Sequence, residues 1–182
     1  MIRFVTLNEG KYREVSGMLE GAGFECEMLA IDYPEIQCDT LEEVVKSSMA
    51  QLTGKIEGDF LIDDSGLFIS SLGGFPGVYS SYVYQTIGLE GVLRLLQDVE
   101  NRAAEFRCCF GLCFEGRNVL FVGGVQGMIT QEKRGEGGFG YDPIFVPAGA
   151  EKTFAEIPTE EKNKLSHRGK ALEKVLEFLK EQ

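Results

Sequence analysis

Histidine is almost missing from this chain, with one residue, His167, in 182. The five cysteines form no CxxC pair, and structural zinc needs clustered Cys and His at short spacing, so that class of protein is excluded. Cys108, Cys109 and Cys113 fall in the strand-like run RCCFGLCFEG, where alternation puts Cys109 and Cys113 on one face as small apolar core residues. No apolar run approaches the ~20 residues that span a bilayer. The amino-terminal MIRFVTLNEG has too short an apolar stretch and no cleavage pattern for a secretory signal, so a cytoplasmic location is expected. Positive charge is scarce as well. Lys and Arg number 18 against 29 Asp and Glu, a net charge of −11, with a pI near 4.6. Such a surface argues against nucleic acid and anionic membranes as partners. It leaves room for a small anionic ligand, because a few cations and a metal ion can dominate one cleft.

What the chain does have is a full complement of core residues, 43% hydrophobic and 26% charged, the balance of a globular domain. A single domain over residues 1–182 is expected, with two lobes around a central cleft. IRFVT reads as a strand running into Asn8, an N-cap, and then a helix with Tyr12, Val15, Leu19 and Ala22 at helical spacing. A second strand is expected over 24–31. TLEE at 40–43 is a capping box before a helix that turns Leu41, Val44, Val45, Ser48, Met49 and Leu52 inward. FLI at 60–62 is apolar on both faces, as a central covered strand should be. Two short helices broken near Gly88 are expected over 78–98, then two long strands, about 104–115 and 118–130, joined by the turn EGRN. The strand PIFV follows, and a last helix capped by Ser166 buries Ala171, Leu172, Val175, Leu176 and Leu179. Alternating helices and strands followed by a late hairpin give an α/β fold with a mixed, elongated sheet flanked by helices.

Four stretches could carry chemistry. In FLIDDSG two adjacent carboxylates, Asp63 and Asp64, follow the apolar run, and they repel unless a cation neutralises them or one stays protonated. Two readings stand: a solvated turn, or a metal site at the carboxyl end of a strand. TLNEGK, residues 6–11, is a strand, a turn and a helix start, where backbone N–H groups and Lys11 suit a phosphate. KRGEGGFGYDP contains Gly135, Gly137 and Gly140 as GxGxxG, but Pro143 and Pro147 follow where a dinucleotide fingerprint must open a helix. The Rossmann reading is rejected. Phe139 and Tyr141 remain, either as packing at the base of a loop or as a platform for a planar base, with Asp142 beside them. TEEKNKLSHRGKA gathers Lys162, Lys164, His167, Arg168 and Lys170 in an acidic chain, with His167 and Arg168 at a helix N-terminus where cations oppose the dipole. That is either a solvated helix end or a broken local rule that marks function.

TLNEGK, YPEIQ, DDSGL with GGFPGVYS, GGFGYDP and EEKNKLSHRGKAL occur in one order from residue 6 to 172. Together they resemble the Ham1-like family of inosine/xanthosine triphosphate pyrophosphatases. The resemblance implies hydrolysis of ITP, dITP and XTP to monophosphate and pyrophosphate, with Mg²⁺ (Mn²⁺ as a substitute), in a homodimer. It implies that Thr6, Leu7, Asn8, Glu9, Gly10 and Lys11 hold the triphosphate, and that Glu35 and Asp64 bind the metal. Asp64 would be the catalytic proton acceptor, Asp63 a support or alternate ligand, and Ser65 a substrate contact. Phe139, Gly140, Tyr141 and Asp142 would hold the base, completed by Lys162, His167 and Arg168. Donors on Arg168 and on the backbone near His167 are expected to face the 6-oxygen that separates hypoxanthine and xanthine from adenine. The family usually carries Gly or Ser where this chain has Leu7, and a positive φ there would be costly for leucine. A nucleotide sensor without turnover and a Maf-type pyrophosphatase acting on pyrimidine or modified nucleotides are the alternatives. A haloacid-dehalogenase motif would need an aspartate at position 65.

Overall fold

The computed structural model describes all residues 1–182. Strand β1 (Ile2–Val5) leads through Asn8 into helix α1 (Glu9–Gly21), with the Asn8 side chain accepting from the Lys11 N–H at 3.0 Å. Strand β2 (Cys26–Leu29) lies beside β1, and helix α2 (Leu41–Leu52) follows a long irregular segment. Its cap differs in one detail from the expected box. Thr40 Oγ1 accepts from the Glu43 N–H at 3.3 Å and donates to Glu43 Oε2 at 2.7 Å, so the carboxylate meets the hydroxyl rather than the Thr40 amide. The chain continues through β3 (Phe60–Ile69), β4 (Pro76–Gly77), α3 (Ser80–Thr86), α4 (Gly88–Leu95), β5 (Ala103–Phe114) and β6 (Arg117–Ile129). It ends with β7 (Phe145–Pro147), α5 (Thr159–Leu165) and α6 (His167–Lys180). Glu115 at φ 48° and Gly116 at φ 76° form the two-residue hairpin between β5 and β6, the left-handed pair that matches strand twist.

The sheet runs β2-β1-β3-β5-β6-β7, with β4 paired to β3 off this path. β1 is parallel to β2 and β3; all other pairs are antiparallel. One core fills the face under α1 and α6, around Phe4, Leu61, Phe110 and Leu172. A second fills the opposite face under α2, around Val45, Met49, Ile62 and Cys109. A third lies at the far end of the long strands, where Leu67, Phe106, Val83 and Phe145 meet. The sheet therefore has two differently covered ends, with a cleft between them.

Two expectations need correction, and one element was not foreseen. β3 does not end at Ile62 but continues in register through Asp63, Asp64 and Ser65 to Ile69, because β5 pairs with it along its whole length. The two aspartates are thus mid-strand, not in a turn. The run PIFV begins inside a short 3-10 turn, Asp142–Ile144, which leaves only Phe145–Pro147 as strand. The segment before Ser166 is a separate helix, α5, entered from Pro158.

The other edge of β3 positions the site. β1 pairs with it only at Phe60 and Leu61, and β4 only at Leu67 and Phe68. Between those contacts, residues 62–66 have no strand on that side. The chain leaving β1 turns into α1 beside this gap.

Glycine at position 123 lets α6 seat against β6: a Cβ there would run into the His167 carbonyl and the Ala171 amide. Gly123→Ala is expected to overpack this contact and cost about 1–3 kcal/mol. Gly17→Ala, in α1 with nothing within 4 Å of the added carbon, is expected to stabilise by up to about 1 kcal/mol. Thermal melts of the two variants should move in opposite directions; equal melts would contradict this seating of α6.

Candidate active site

The gap in the sheet opens into a cleft of about 980 Å³. Thr6, Leu7, Asn8 and Lys11 line it together with Asp64, Ser65 and the exposed Glu35, and Phe139, Gly140, Tyr141, Asp142, Lys162, His167 and Arg168 complete the lining. Of the expected residues only Glu9 and Gly10 do not line it. Glu9 is exposed in the first turn of α1. Gly10 contributes differently: a Cβ there would come 2.7 Å from Phe139 Cδ1, so the missing side chain is what lets that ring lie on α1. The turn into the helix is built by Thr6 Oγ1, which accepts from the Asn8 N–H at 3.1 Å. Non-glycine residues at positive φ are limited to Asp98 and Glu115, so Leu7, exposed in this turn, carries no such strain.

Pleating separates the two aspartates. Successive strand residues face opposite sides of a sheet. Asp63 turns to the α1–α6 side, where Lys11 Nζ lies 3.0 Å from Oδ1 and Arg168 Nε lies 3.2 Å from Oδ2. Ser65 Oγ also donates to Oδ2, at 3.0 Å. Burial alone would raise this carboxyl, but Lys11 and Arg168 outweigh it and hold it below the ordinary range. Asp63 is thus paired with two cations, although its buried Oδ1 has the Lys11 charge beside it without a hydrogen bond. Lys11 shows the matching effect: burial pulls its ammonium down, and Asp63, with Asp64, leaves it raised.

Asp64 faces the α2 side with a single hydrogen bond, from the Ser65 N–H to Oδ1 at 2.8 Å. Burial pushes its carboxyl up, Lys11 offsets this only in part, and Glu35 and Asp63 add to it, to about 7. Gly66 follows in extended conformation rather than in a turn. Its Cβ would strike the Gly77 carbonyl oxygen, so glycine is needed for β4 to approach. No three His, Cys, Asp or Glu side chains gather closely enough to hold a metal unaided. Two carboxylates in one cleft, one of them short of cations, still fit a hard divalent ion that takes oxygen ligands and completes its shell with water and phosphate.

The base end rests on buried ion pairs. Arg168 Nη1 donates to Glu14 Oε2 at 2.6 Å, Nη2 to Ser65 Oγ at 2.8 Å and Nε to Asp63. Three of the five guanidinium N–H groups are thus engaged by the protein, leaving one each on Nη1 and Nη2 at a residue that lines the cleft. Lys162 Nζ bridges Glu14 Oε1 at 2.6 Å and Asp142 Oδ2 at 2.5 Å. Asp142 also accepts from the Phe139 N–H at 2.7 Å on the same Oδ2, so it shapes the loop while Oδ1 is left without a protein donor. Tyr141 is 5% exposed, its hydroxyl donating to the Ser80 carbonyl at 2.8 Å; it is a core residue more than a platform. His167 is buried, stacked on Phe106 at 4.6 Å, with Nδ1 lacking a partner. Burial first, then Arg168, Lys162 and Lys11, push its imidazole well below the usual range, so it is neutral rather than one of the cluster's cations.

Glu14 was not singled out from the sequence. It sits three residues after Lys11, next to inward Val15, and an acid on a buried helical face of a chain with unpaired downstream cations was the available signal. Phe106 and Tyr84, which also line the cleft, carried none.

A model of the Ham1 family matches residues 2–178. The chain belongs to the Ham1 family. It is 55% identical to a dITP/XTP pyrophosphatase of Pyrococcus horikoshii over 179 residues, 98% of this chain and 96% of that protein. A dITP/XTP pyrophosphatase of Thermococcus kodakarensis is 51% identical over 180 residues, covering 99% and 97%. The solved structure of a Ham1 protein from Coxiella burnetii matches with a TM-score of 0.84 at 30% identity, over 100% of this chain and 98% of that one. The Staphylococcus aureus Ham1 protein gives 0.83 at 27%, over 100% and 99%. The mixed sheet and flanking helices are thus the Ham1 architecture.

The raised Asp64 carboxyl in this Ham1 chain makes stability depend on pH. Unfolded, the group loses its proton near the ordinary 3.8; folded and free of a bound cation, it does so near 7. Between those values the folded chain holds more protons than the unfolded one, so this group lowers stability as pH rises through the window. Asp64→Asn removes that loss. In chelator, the variant should melt with the wild type near pH 4 and above it near pH 8. Equal melting at pH 8 would contradict the environment described for Asp64.

Proposed function

We propose that this protein hydrolyses non-standard purine nucleoside triphosphates (ITP, dITP and XTP) to the monophosphate and pyrophosphate, clearing them from the cytosolic nucleotide pool. The observation that carries this reading is Asp64, a carboxylate set in the sheet gap where it lines one cleft with Glu35, Lys11 and the turn that opens α1. The names of the relatives at 55% and 51% identity support the substrate class. Mg²⁺, with Mn²⁺ as a substitute, would be held by Asp64 and Glu35 and would neutralise phosphate charge.

The rest falls to the chain's own groups. The N–H groups that open α1 bind phosphate oxygens with the helix dipole behind them. Lys11 is fixed by Asp63 at the same place, so its charge is pre-positioned when the triphosphate arrives. Asp64 takes the proton of the attacking water as the bond between the α-phosphorus and its bridging oxygen breaks and pyrophosphate leaves. With a cation bound beside it the carboxyl would be held ionised, ready to accept that proton. The base of the nucleotide lies toward the loop Phe139–Asp142, which Lys162 ties to α1 and α5.

Product analysis on a panel of nucleoside triphosphates tests this. With Mg²⁺, ITP, dITP and XTP should yield monophosphate and pyrophosphate, and chelation should abolish turnover. Asp64→Asn should lower kcat by about 10²- to 10⁴-fold. Release of orthophosphate, or ligand binding without turnover, would overturn the proposal, the latter in favour of a sensor.

We also propose a homodimer, on family resemblance supported by the exposed aromatic and aliphatic side chains Phe75, Tyr79, Tyr82 and Ile87 on one segment of the chain. Sedimentation at micromolar concentration should give twice the 20.1 kDa chain mass; a monomer alone would refute it.

A further inference from the structure

The two carboxylates assigned to the metal are held in different ways. Asp64 lies in the middle of β3, fixed by the ladder to β5. Glu35 lies in the irregular segment between β2 and α2, exposed and lining the cleft. No ladder holds that segment. Apart from the local bond of the Ile31 N–H to the Leu29 carbonyl, one backbone group of residues 30–39 is hydrogen-bonded. It is the Pro34 carbonyl, which accepts from Gln51 Nε2 at 2.9 Å. Gln51 stands in the last turn of α2 and does not itself line the cleft.

The residues around this bond pass its effect to Glu35. Ile31 and Tyr33 pack on the core under α2, so the chain enters Pro34 from an anchored side chain. A residue before proline is confined to extended conformation, and the proline ring fixes its own φ. The Pro34 carbonyl shares a rigid peptide plane with the Glu35 N–H, so a bond to that oxygen orients the Glu35 Cα directly. The second contact of Gln51 Nε2 is the Ser47 carbonyl at 3.4 Å. Both partners are acceptors, which requires the amide nitrogen and not its oxygen to face Pro34. α2 in turn packs through Val45 and Met49 on Ile62 and Cys109, in the strand pair that carries Asp64. Resting on the reading of Glu35 and Asp64 as the metal's ligands, we infer that Gln51 is a positioning residue that presets Glu35 for a divalent cation. Without this bond the segment must be ordered as the cation binds, and that ordering weakens binding.

Gln51→Met keeps the side-chain length and suits a helix but has no donor. Mn²⁺ binding to the metal-free chain, followed by the EPR signal of the free ion, should be about 2- to 10-fold weaker in this variant, the effect of one neutral hydrogen bond. Glu35→Ala should bind Mn²⁺ more weakly than wild type, and adding Gln51→Met to it should change nothing further, since the tether then positions no ligand. In ITP hydrolysis, the loss should appear in the Mg²⁺ concentration for half-maximal turnover and not in kcat at saturating Mg²⁺. The chain contains no tryptophan, so Ile36→Trp, at an exposed position beside Glu35, reports on the segment without metal or turnover. Its fluorescence anisotropy should fall when Gln51→Met is added. Wild-type Mn²⁺ affinity in Gln51→Met, an equal loss in the Glu35→Ala background, or unchanged anisotropy would overturn the inference and leave the metal reading standing. If Glu35→Ala binds Mn²⁺ as the wild type does, the metal reading of Glu35 fails first, and the inference fails with it.

Discussion

Three buried carboxylates, Glu14, Asp63 and Asp142, and three cations, Lys11, Lys162 and Arg168, form one connected cluster across α1, β3, the Phe139–Asp142 loop, α5 and α6. The charges balance inside it. None of these groups could remain ionised there alone, since removing one partner of a buried pair typically costs about 3–5 kcal/mol. Burial of these charges therefore depends on the association of the elements that pair them. The cluster also resolves the local conflict at α6, where Arg168 opposes the helix dipole: Glu14 and Asp63 supply the negative charge that the helix start lacks.

Asp64 is left outside that balance. It sits next to Asp63 in sequence but on the other face of β3, where Glu35 is a further acid and Lys11 reaches it only as a shared charge. One strand thus holds two aspartates with opposite tendencies, one locked as an anion and one held near neutrality. Environments that push two like groups apart in this way are how acid and base tasks are divided at a site. The gap between β1 and β4 opens Asp64 to the cleft while Asp63 stays buried, and the β3–β5 ladder keeps both fixed.

The fold itself follows from short-range chemistry. Asn8, Thr40 and Ser166 cap their helices through side-chain oxygens, and the pattern of Ala171, Leu172, Val175, Leu176 and Leu179 sets the buried face of α6. Glu115 and Gly116 turn the hairpin. All of these depend on residues within about one turn of each other, which is why they were legible as pattern. The break at Asp63 was misread for the same reason: apolar periodicity stops there, but strand pairing to a segment about 45 residues away does not.

From the sequence alone came the mixed α/β class, the caps, the rejection of a dinucleotide fingerprint and the set of segments that meet at one cleft. Tertiary structure alone decided which members of that set pair with each other. Arg168, Asp142 and Tyr141 are expected as ligand contacts from the family resemblance, and in the fold they line the cleft while also holding protein partners. Their partners, Glu14, Lys162 and Ser80, lie 154, 20 and 61 residues away. Burial and charge pairing between such distant positions are properties of the packed chain, and no local pattern encodes them.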